Sequence, residues 1–364
     1  MIGAFDYGGR LDRLRQVMAD HRVDVVLVSV GADLPYLCGY EAMPLERLTM
    51  LVVDRDSEPT LVVPELEAPR VGSGPFRLRP WSETEDPVAI VADLVGSPET
   101  AAIGDQTWSR FLLALQRRLP TTRFVPASPL IGSLRIRKEP AEVEALAAAA
   151  AAVDRVLARI PAEVRFSGRS ERAVARDIVD MTLEEGHDTA SFWIVASGPN
   201  GASPHHEPSD RVIGPGDLVV VDFGGRRHGY CSDVTRTFVV GDPSPEAVEV
   251  HRVVAAAQEA GREAVRPGVT AEEVDAAARR VIDAAGFGEF FVHRTGHGIG
   301  LETHEDPYLV AGNGTVLEAG MAFSVEPGVY LPGRFGVRIE DIVVVTDRGV
   351  RVLNGADRSL VSVS

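Results

Sequence analysis

Residues 219–238 read VVVDFGGRRHGYCSDVTRTF and residues 323–341 read FSVEPGVYLPGRFGVRIED, and these two stretches decide the fold. Each predicts a β-hairpin, because β-rich apolar runs flank a turn that contains glycine and charged residues. Single carboxylates interrupt the apolar strands. They are Asp222 and Asp233 in the first hairpin, and Glu326 and Glu340 in the second.

The first hairpin is predicted to turn at Arg227 and His228. That turn places Asp222 directly opposite Asp233 on one face of the sheet, with Cβ atoms roughly 5 Å apart. Two like charges in this position destabilise a sheet. A single pair could be an accident or could share a proton.

The second hairpin repeats the arrangement. A turn centred on Gly333 makes Glu326 face Glu340. Solvated strand faces are the alternative, but Val219–Val221 and Ile342–Val345 are apolar on both faces, as buried strands are. Two carboxylate pairs at equivalent points therefore indicate a strong cation between them.

Four carboxylates can hold two divalent ions roughly 3.5–4 Å apart, which is the arrangement of two-metal hydrolases. The donor set is rich in oxygen and lacks thiolates, so it favours Mn²⁺, Co²⁺ or Fe²⁺ over structural zinc. An imidazole would complete it. Residues 293–307 read HRTGHGIGLETHEDP, and in this segment His297 stands between two glycines, where it can approach a metal closely.

The chain from about residue 135 onward contains an internal repeat of element order. Long helices are predicted to begin at Pro140 and Pro245, 105 residues apart. Shorter helices follow Ser170 and Thr270, 100 residues apart, and each pair of helices precedes two β-rich runs. Two similar α+β halves are therefore predicted to face each other across a cleft.

Residues 1–134 are predicted to form a separate α/β domain, with the boundary at about 132–138. They show no group with the spacing of a catalytic site, which favours a structural or oligomerisation role. The predicted elements are a helix containing Leu11, Leu14, Val17 and Met18, strands at Val25–Val30, Thr49–Val53 and Thr60–Val63, and a helix at Trp108–Arg118.

Composition excludes several classes of protein. The 364 residues include 37 basic and 53 acidic side chains, a formal charge of −16 that disfavours nucleic-acid and anionic-membrane partners. Two cysteines, Cys38 and Cys231, are too few for a disulfide framework. The N-terminus lacks the apolar core of a signal peptide, and the longest apolar run, Ala145–Val153, is too short to span a membrane. A cytoplasmic protein is expected.

Together these motifs resemble the metal-site motifs of the pita-bread metallopeptidases. The preceding small domain and residues 134–146, LRIRKEPAEVEAL, resemble the Xaa-Pro dipeptidase (prolidase) and aminopeptidase P branch of that family. The resemblance implies a creatinase/prolidase-type N-terminal domain over 1–134. It implies a pita-bread catalytic domain with a pseudo-two-fold repeat over 135–364.

The resemblance also implies a ligand set and a cofactor. Two divalent ions per subunit are expected, Mn²⁺ first, with Co²⁺, Fe²⁺ and Zn²⁺ open. A hydroxide that bridges them is the expected nucleophile, because two cations lower the pKa of bound water. Asp233 and Glu340 are expected to contact both ions. The five matching ligands are Asp222, Asp233, His297, Glu326 and Glu340.

Further residues match the family's catalytic and substrate-binding positions. Glu326 matches the carboxylate that carries a proton to the leaving nitrogen, and His304 matches the imidazole that stabilises the oxyanion. In residues 198–206, GPNGASPHH, His205 matches a substrate-site histidine. Its neighbour His206 is expected to have no role of its own. Arg338 should point to the same face as Glu340 and organise the site.

One position departs from the family pattern. Prolidases often have an arginine just after the His-Glu-x-Pro segment, where it holds the substrate carboxylate, and here that position is Tyr308. The missing cation is expected from the loop Gly39–Thr49. Arg47, or contacts from Tyr40, would reach the cleft of the partner in a homodimer.

The implied reaction is hydrolysis of the Xaa–Pro bond in dipeptides or short peptides. This bond is a tertiary amide without an N–H that ordinary peptidases could bind. Three alternatives stay open: an aminopeptidase P acting on longer peptides, a creatinase-like hydrolase or lyase of the same fold, and a binding module without activity. The last two have typically lost metal ligands, and all five are present here.

Overall fold

The structure, a computed structural model, describes residues 5–364 and divides into two compact units. The first unit ends at Arg135, and the second extends from Ile136 to Ser364. None of the helices within residues 5–364 combines the length and the apolar character that crossing a membrane requires.

The first unit contains a mixed β-sheet with helices. Its strands are β1 (Val25–Val28), β2 (Met50–Asp54), β3 (Thr60–Pro64), β4 (Arg77–Trp81), β5 (Thr100–Ile103) and β6 (Arg123–Pro126), and its helices are α1 (Tyr7–Asp20), α2 (Asp33–Cys38), α3 (Pro87–Val95), α4 (Ser109–Arg118) and α5 (Ser128–Arg135). The strand order is β4-β3-β2-β1-β5-β6. The predicted strands near Val25, Thr49 and Thr60 and the helices near Leu11 and Trp108 are confirmed.

The second unit contains the two predicted pairs of helices. They are α6 (Pro140–Glu163), α7 (Glu171–Glu184), α8 (Pro245–Ala264) and α9 (Ala271–Ala284). Proline in the first turn starts both long helices, and the hydroxyls of Ser170 and Thr270 cap both short ones. The predicted order of helices in the repeat is confirmed.

The two halves share backbone hydrogen bonds as well as element order. In each half, the segment that leads into the short helix pairs with a segment about 40 residues later. Equivalent bonds are Gly168 N to Ile213 O and Gly268 N to Leu317 O, each 2.9 Å, and Glu171 N to Arg211 O and Ala271 N to Thr315 O, 3.1 and 2.9 Å.

The strands of the second unit form three sheets. They are β7 (Thr189–Ser197), β8 (Leu218–Arg227), β9 (Tyr230–Cys231), β10 (Val234–Val240), β11 (Gly296–Gly298), β12 (Glu305–Leu309), β13 (Ala322–Val325), β14 (Gly328–Leu331), β15 (Phe335–Arg338), β16 (Asp341–Thr346), β17 (Gly349–Val352) and β18 (Val361–Val363). One sheet has the order β18-β10-β8-β7 with β9 paired to β8, the second has β12-β11-β13-β16-β17, and β14 pairs with β15.

Alternation along β8 decides which side chains face the helices. Val219, Val221 and Phe223 pack into a core with α6 and α7. Asp222, between them in sequence, points to the opposite face because successive strand residues alternate. The helices thus cover one side of this sheet, and the carboxylate is left on the other.

The first hairpin turns one position later than predicted, and the predicted pairing is therefore wrong. His228 and Gly229 form the turn with φ of 53° and 82°. Two consecutive positive φ values suit the tight two-residue turns that fit the strand twist. Asp222 consequently pairs with Thr235 instead of Asp233. Asp233 lies in the two-residue break between β9 and β10.

The second hairpin has the predicted register. β14 and β15 pair around a turn at Gly333, and β13 pairs with β16 in the same register. Glu326 and Glu340 therefore lie level with each other, each in a two-residue break between strands. Pro327 follows Glu326 and has no N–H to continue the ladder, which favours a break at this point.

Helix α8 contains a buried histidine, His251. Its Nε2 has no hydrogen-bond partner among residues 5–364. Burial, and then the charge of Arg236, lower the pKa of His251 to about 4. The imidazole therefore stays neutral in the folded protein at pH values where the unfolded chain protonates it.

We expect this histidine to weaken the protein in acid. A folded pKa below the unfolded value of 6.5 gives stability that is present above pH 6.5 and is lost as the pH falls through about 4. His251→Leu should gain on the order of 2–3 kcal/mol relative to wild type between pH 7 and pH 4, measured by urea unfolding of metal-free protein. Val248→Leu, exposed on the same helix, is the control. An equal effect of His251→Leu at both pH values would contradict the assignment.

Candidate active site

A cavity of about 610 Å³ lies in the second unit. All of the site residues predicted from the sequence line it except Arg47 and Tyr40, which belong to the first unit. The lining residues are Ser191, Phe192, Ile194, Pro204, His205, Asp222, Asp233, His293, Arg294, His297, Thr303, His304, Glu326, Arg338 and Glu340.

Breaks in the strands place three of the four carboxylates. Asp233, Glu326 and Glu340 each lie between two strands, whereas Asp222 lies within β8. At the break between β9 and β10, the backbone of Ser232 lies very close to the backbone of Gly224 in β8. A Cβ atom on Gly224 would lie 2.0 Å from the carbonyl oxygen of Ser232, so only glycine fits there.

Asp233, His297 and Glu340 form a group with the geometry of a metal site. One ligand atom from each lies within 4.8 Å of the others, and all three side chains are buried. Glu326 adjoins the group, with Oε1 3.3 Å from Nε2 of His297, and Oδ2 of Asp233 is 3.6 Å from the same nitrogen. Asp222 stands at the edge of this group, where it pairs with Arg338.

The hydrogen bonding of His297 leaves its Nε2 atom available to bind a metal. Nδ1 lies 3.1 Å from the carbonyl oxygen of Gly298, and because a carbonyl can only accept, Nδ1 carries the proton. Nε2 then presents a lone pair to the carboxylates of Asp233 and Glu326. Burial lowers the pKa of His297 to about 3, so the ring is neutral. A lone pair facing carboxylates is stable only with a cation or a proton between them.

The carboxylates themselves are in an environment that disfavours negative charge. Burial, followed by the charges of Glu340 and Asp222, raises the pKa of Asp233 well above its usual value. Burial and the neighbouring carboxylates raise the pKa of Glu340 as well, and burial raises that of Glu326 to about 7. A bound cation would remove this cost.

Two buried oxygen atoms give a further indication. Oδ1 of Asp222 and Oε1 of Glu340 have no hydrogen-bond partner among the described residues. Buried polar atoms are almost always paired, and unpaired ones often mark an ion or a water. An oxygen-rich donor set with one imidazole fits hard or borderline divalent ions. These residues therefore fit the metal ions that the sequence predicts.

Arg338 and Thr235 hold the carboxylates in place. Arg338 Nη2 donates to Asp222 Oδ2 at 2.5 Å, and its Nε donates to the hydroxyl of Thr235 at 3.1 Å. The same hydroxyl donates to Oε2 of Glu340 at 2.7 Å. Arg338 thus contacts Asp222 directly and Glu340 indirectly through Thr235, and its organising role stays a prediction.

A chain of hydrogen bonds continues from Arg338 along the cavity wall. Arg338 Nη1 donates to the hydroxyl of Tyr330, which lies 2.8 Å from Nε2 of His293. Nδ1 of His293 donates to the carbonyl oxygen of Arg294 at 2.7 Å, so Nε2 accepts from Tyr330. Burial lowers the pKa of His293 to about 4, which keeps this direction of bonding fixed.

His304 and His205 reach the cavity from two different loops. The ring centroids of His304 and His297 lie 4.1 Å apart, with the rings edge to face. Burial lowers the pKa of His304. Next to His304, Glu305 forms a buried ion pair with Lys138 of the junction motif at 2.5 Å. His205 lies in the segment that follows β7.

The cavity wall contains a positively charged side chain, that of Arg294, which was not predicted from the sequence. Arg294 lines the cavity, and its guanidinium lies 4.2 Å from the ring centroid of Tyr308, the residue that replaces the expected arginine. Arg47, by contrast, is paired in the first unit with Glu46 at 2.6 Å and Glu83 at 2.8 Å.

Three other supporting residues were also missed, and a signal for two of them exists. Thr235 stands two positions after Asp233, and Ser324, which donates to Glu326 at 3.0 Å, stands two positions before its partner. In the strands predicted from the sequence, a polar residue two positions from a carboxylate is expected on the same side of the strand. Tyr330 has no comparable signal in the sequence.

Comparison with known proteins agrees with this geometry. The model of metallopeptidase family M24 matches residues 144–347, and that of the creatinase/prolidase N-terminal domain matches residues 10–137. A probable dipeptidase PepE of Mycobacterium tuberculosis is 45% identical over 98% of this chain and 96% of that protein. An Xaa-Pro dipeptidase of Lactobacillus helveticus is 37% identical over 96% of this chain and 98% of that protein.

A solved structure shows the same fold. The prolidase of Thermococcus sibiricus superposes with a TM-score of 0.94 at 40% identity, over 99% of this chain and all of that one. The pita-bread fold and the resemblance read from the motifs are thereby confirmed. The matched family models span most of both units, and the relatives span nearly the whole chain, so this protein belongs to metallopeptidase family M24.

Proposed function

We propose that this protein is a two-metal Xaa-Pro dipeptidase that hydrolyses the bond before proline in dipeptides or short peptides. The buried carboxylate cluster around the lone pair of His297 carries the proposal, since this donor set suits a divalent cation. Relatives named Xaa-Pro dipeptidase and prolidase support the substrate class. A cavity of about 610 Å³ is of the size typical for small ligands. Mn²⁺, the homodimer and the cytoplasmic location stay predictions.

The residues that would hold the ions are Asp222, Asp233, His297, Glu326 and Glu340. When bound, two divalent ions supply a hydroxide nucleophile and polarise the scissile carbonyl. The chain's own residues then have to move one proton. Glu326 would receive it and deliver it to the proline nitrogen as the C–N bond breaks, which makes a neutral secondary amine the leaving group.

His304 and His205 would bind the substrate around its reacting carbonyl. His304 is neutral because burial lowers its pKa, so it can donate one N–H to a developing oxyanion. Arg294 offers a positive charge to a substrate carboxylate from the cavity wall. Phe192 and Ile194 of β7 supply apolar wall for the substrate side chains.

A peptide panel tests the function directly. Purified protein loaded with Mn²⁺ or Co²⁺ should cleave X-Pro dipeptides and leave X-Ala peptides nearly intact, measured by release of free proline or alanine. Preference for X-Pro-Y tripeptides would instead assign the longer-peptide aminopeptidase activity. Absence of cleavage of both kinds of proline peptide by metal-loaded protein would refute the proposal.

Metal content separates ligands from other catalytic residues. Asp233→Ala and Glu340→Ala should lose bound metal and activity together, because the remaining carboxylates cannot neutralise the ions. His304→Ala is the matched control: it should keep its metal, measured by mass spectrometry, and lose turnover by about 10²–10³-fold. Full metal occupancy with near-normal turnover in Asp233→Ala would refute the ligand assignment.

Two arginines compete for the role of carboxylate anchor. We expect Arg294→Ala to raise KM for X-Pro dipeptides by about 10–150-fold, the value of a charge-assisted contact, and to affect X-Pro-Y tripeptides less. Arg294→Lys keeps the charge and should recover part of the loss. A raised KM in Arg47→Ala, with Arg294→Ala unchanged, would move the anchor to Arg47 and the partner subunit.

A further inference from the structure

The loop of residues 197–209 carries His205 into the cavity. The loop begins at the end of β7 and includes the short 3₁₀ helix Gly198–Ala202. Pro204 and His205 line the cavity in its middle. Arg338 Nη1 lies 3.3 Å from the carbonyl oxygen of Pro204, which ties the loop to the residue that holds Asp222.

The carboxylate of Glu171 binds both ends of this loop. Glu171 is the first residue of α7, and its side chain is fully buried. At the start of the loop it accepts from the backbone N–H and the hydroxyl of Ser197, each at 2.7 Å. At the end it accepts from the backbone N–H of Ser209 at 3.0 Å and its hydroxyl at 2.6 Å.

Two side chains from inside the loop complete the shell around Glu171. Nδ2 of Asn200 lies 3.0 and 3.1 Å from the two carboxylate oxygens. Nε2 of His206 lies 2.9 Å from Oε2 and donates to it, because an ionised carboxylate can only accept. His206 was expected to have no role of its own, and the structure instead makes it a tether beside His205.

The hydrogen bonds around this carboxylate favour its ionised form. Burial by itself would raise the pKa of Glu171, but the hydrogen bonds from Ser209, Ser197 and His206 outweigh burial and lower the pKa to about 2. A fully buried charge with this many donors is a rigid anchor, because removing it leaves every donor unpaired.

The second half of the internal repeat attaches its short helix without a carboxylate at this position. The equivalent position in the second half is Ala271, the first residue of α9. Both residues make the same backbone bond, Glu171 N to Arg211 O and Ala271 N to Thr315 O. The helix therefore attaches to its neighbouring segment without an acidic side chain in one half. The first half differs from the second in that Glu171 also attaches loop 197–209 to the helix.

We propose that Glu171 is a positioning residue for substrate binding, which fixes both ends of loop 197–209 and so aims His205 at the substrate. The proposal rests on the proposed function for its substrate. It assigns Glu171 no contact with substrate or metal. Its effect on catalysis passes through His205, and that path can be tested.

A double-mutant cycle tests the path. Glu171→Gln turns an amide group toward the loop donors and should lower kcat/KM for X-Pro dipeptides by about 10–100-fold, since small misplacement of a substrate-binding group is costly. Bound metal should stay at the wild-type level. If Glu171 acts through His205, adding Glu171→Gln to His205→Ala should change kcat/KM by less than about twofold.

Two further variants keep the test decisive. Glu273→Gln removes an exposed carboxylate from the first turn of α9, the equivalent helix, and should leave kcat and KM unchanged. Ser209→Ala removes one hydroxyl donor to Glu171 and should lower kcat/KM about three- to fivefold. If Glu171→Gln does not fold, the kcat/KM of Ser209→Ala tests whether the contact between Glu171 and the loop affects catalysis.

Hydrogen exchange gives a readout that does not depend on activity. The amides of Ser197 and Ser209 donate to Glu171, so Glu171→Gln should speed exchange in residues 197–209 and leave α7 protected. Unchanged exchange there, or additive losses in the double variant, would overturn the proposal. A wild type that does not cleave X-Pro peptides would refute the proposed function, and the exchange data would still decide the anchoring.

Discussion

Mutual repulsion among four carboxylates, three of them buried and Glu326 mostly so, is the constraint on which this structure depends. Asp222, Asp233, Glu326 and Glu340 line one cavity, and burial raises the pKa of three of them. A protein does not keep such a cluster for stability, because burial costs four charges their hydration, and the ion pair of Asp222 with Arg338 neutralises one of them. The neutral ring of His297 supplies a lone pair where a proton donor would have relieved the repulsion. The site is therefore built for cations at the expense of the metal-free fold.

The two halves of the repeat meet where these charges have to be held. Hydrogen bonds join β10 of the first half to the strands around Glu340 in the second. Behind them, Arg236 donates to the backbone of Glu340 at 2.6 Å and forms a buried ion pair with Asp341 at 2.8 Å. A buried pair contributes little net stability but fixes geometry strongly, because breaking it leaves an unpaired charge. Each half supplies two carboxylates, and this seam keeps them at a fixed spacing.

The sequence predicted the features that follow from hydrophobic patterns, namely the strands and their carboxylates. It did not predict the features that depend on turn conformation or on contacts between distant residues. The carboxylates were recognisable because apolar strands surround them, and the second register followed from a glycine turn. The first register was wrong because the sequence does not show that His228 adopts a positive φ beside Gly229. Arg294 was missed because only the folded chain brings it over Tyr308. Glu171 was missed because a carboxylate in the first turn of a helix is ordinary, and its partners lie 26 to 38 residues away.

Each half also uses a buried carboxylate of its short helix to hold a histidine-bearing segment, but in a different way. In the second half, Asp275 of α9 accepts from the backbone and hydroxyl of Thr295 at 3.1 and 2.7 Å, two residues before His297. In the first half, Glu171 holds the loop that contains His205. The shared scaffold is the backbone bonding that both halves keep. Asp275 lies one helical turn further into its helix than Glu171 does, and the two carboxylates hold different structures, the segment that leads into β11 in one half and a loop in the other.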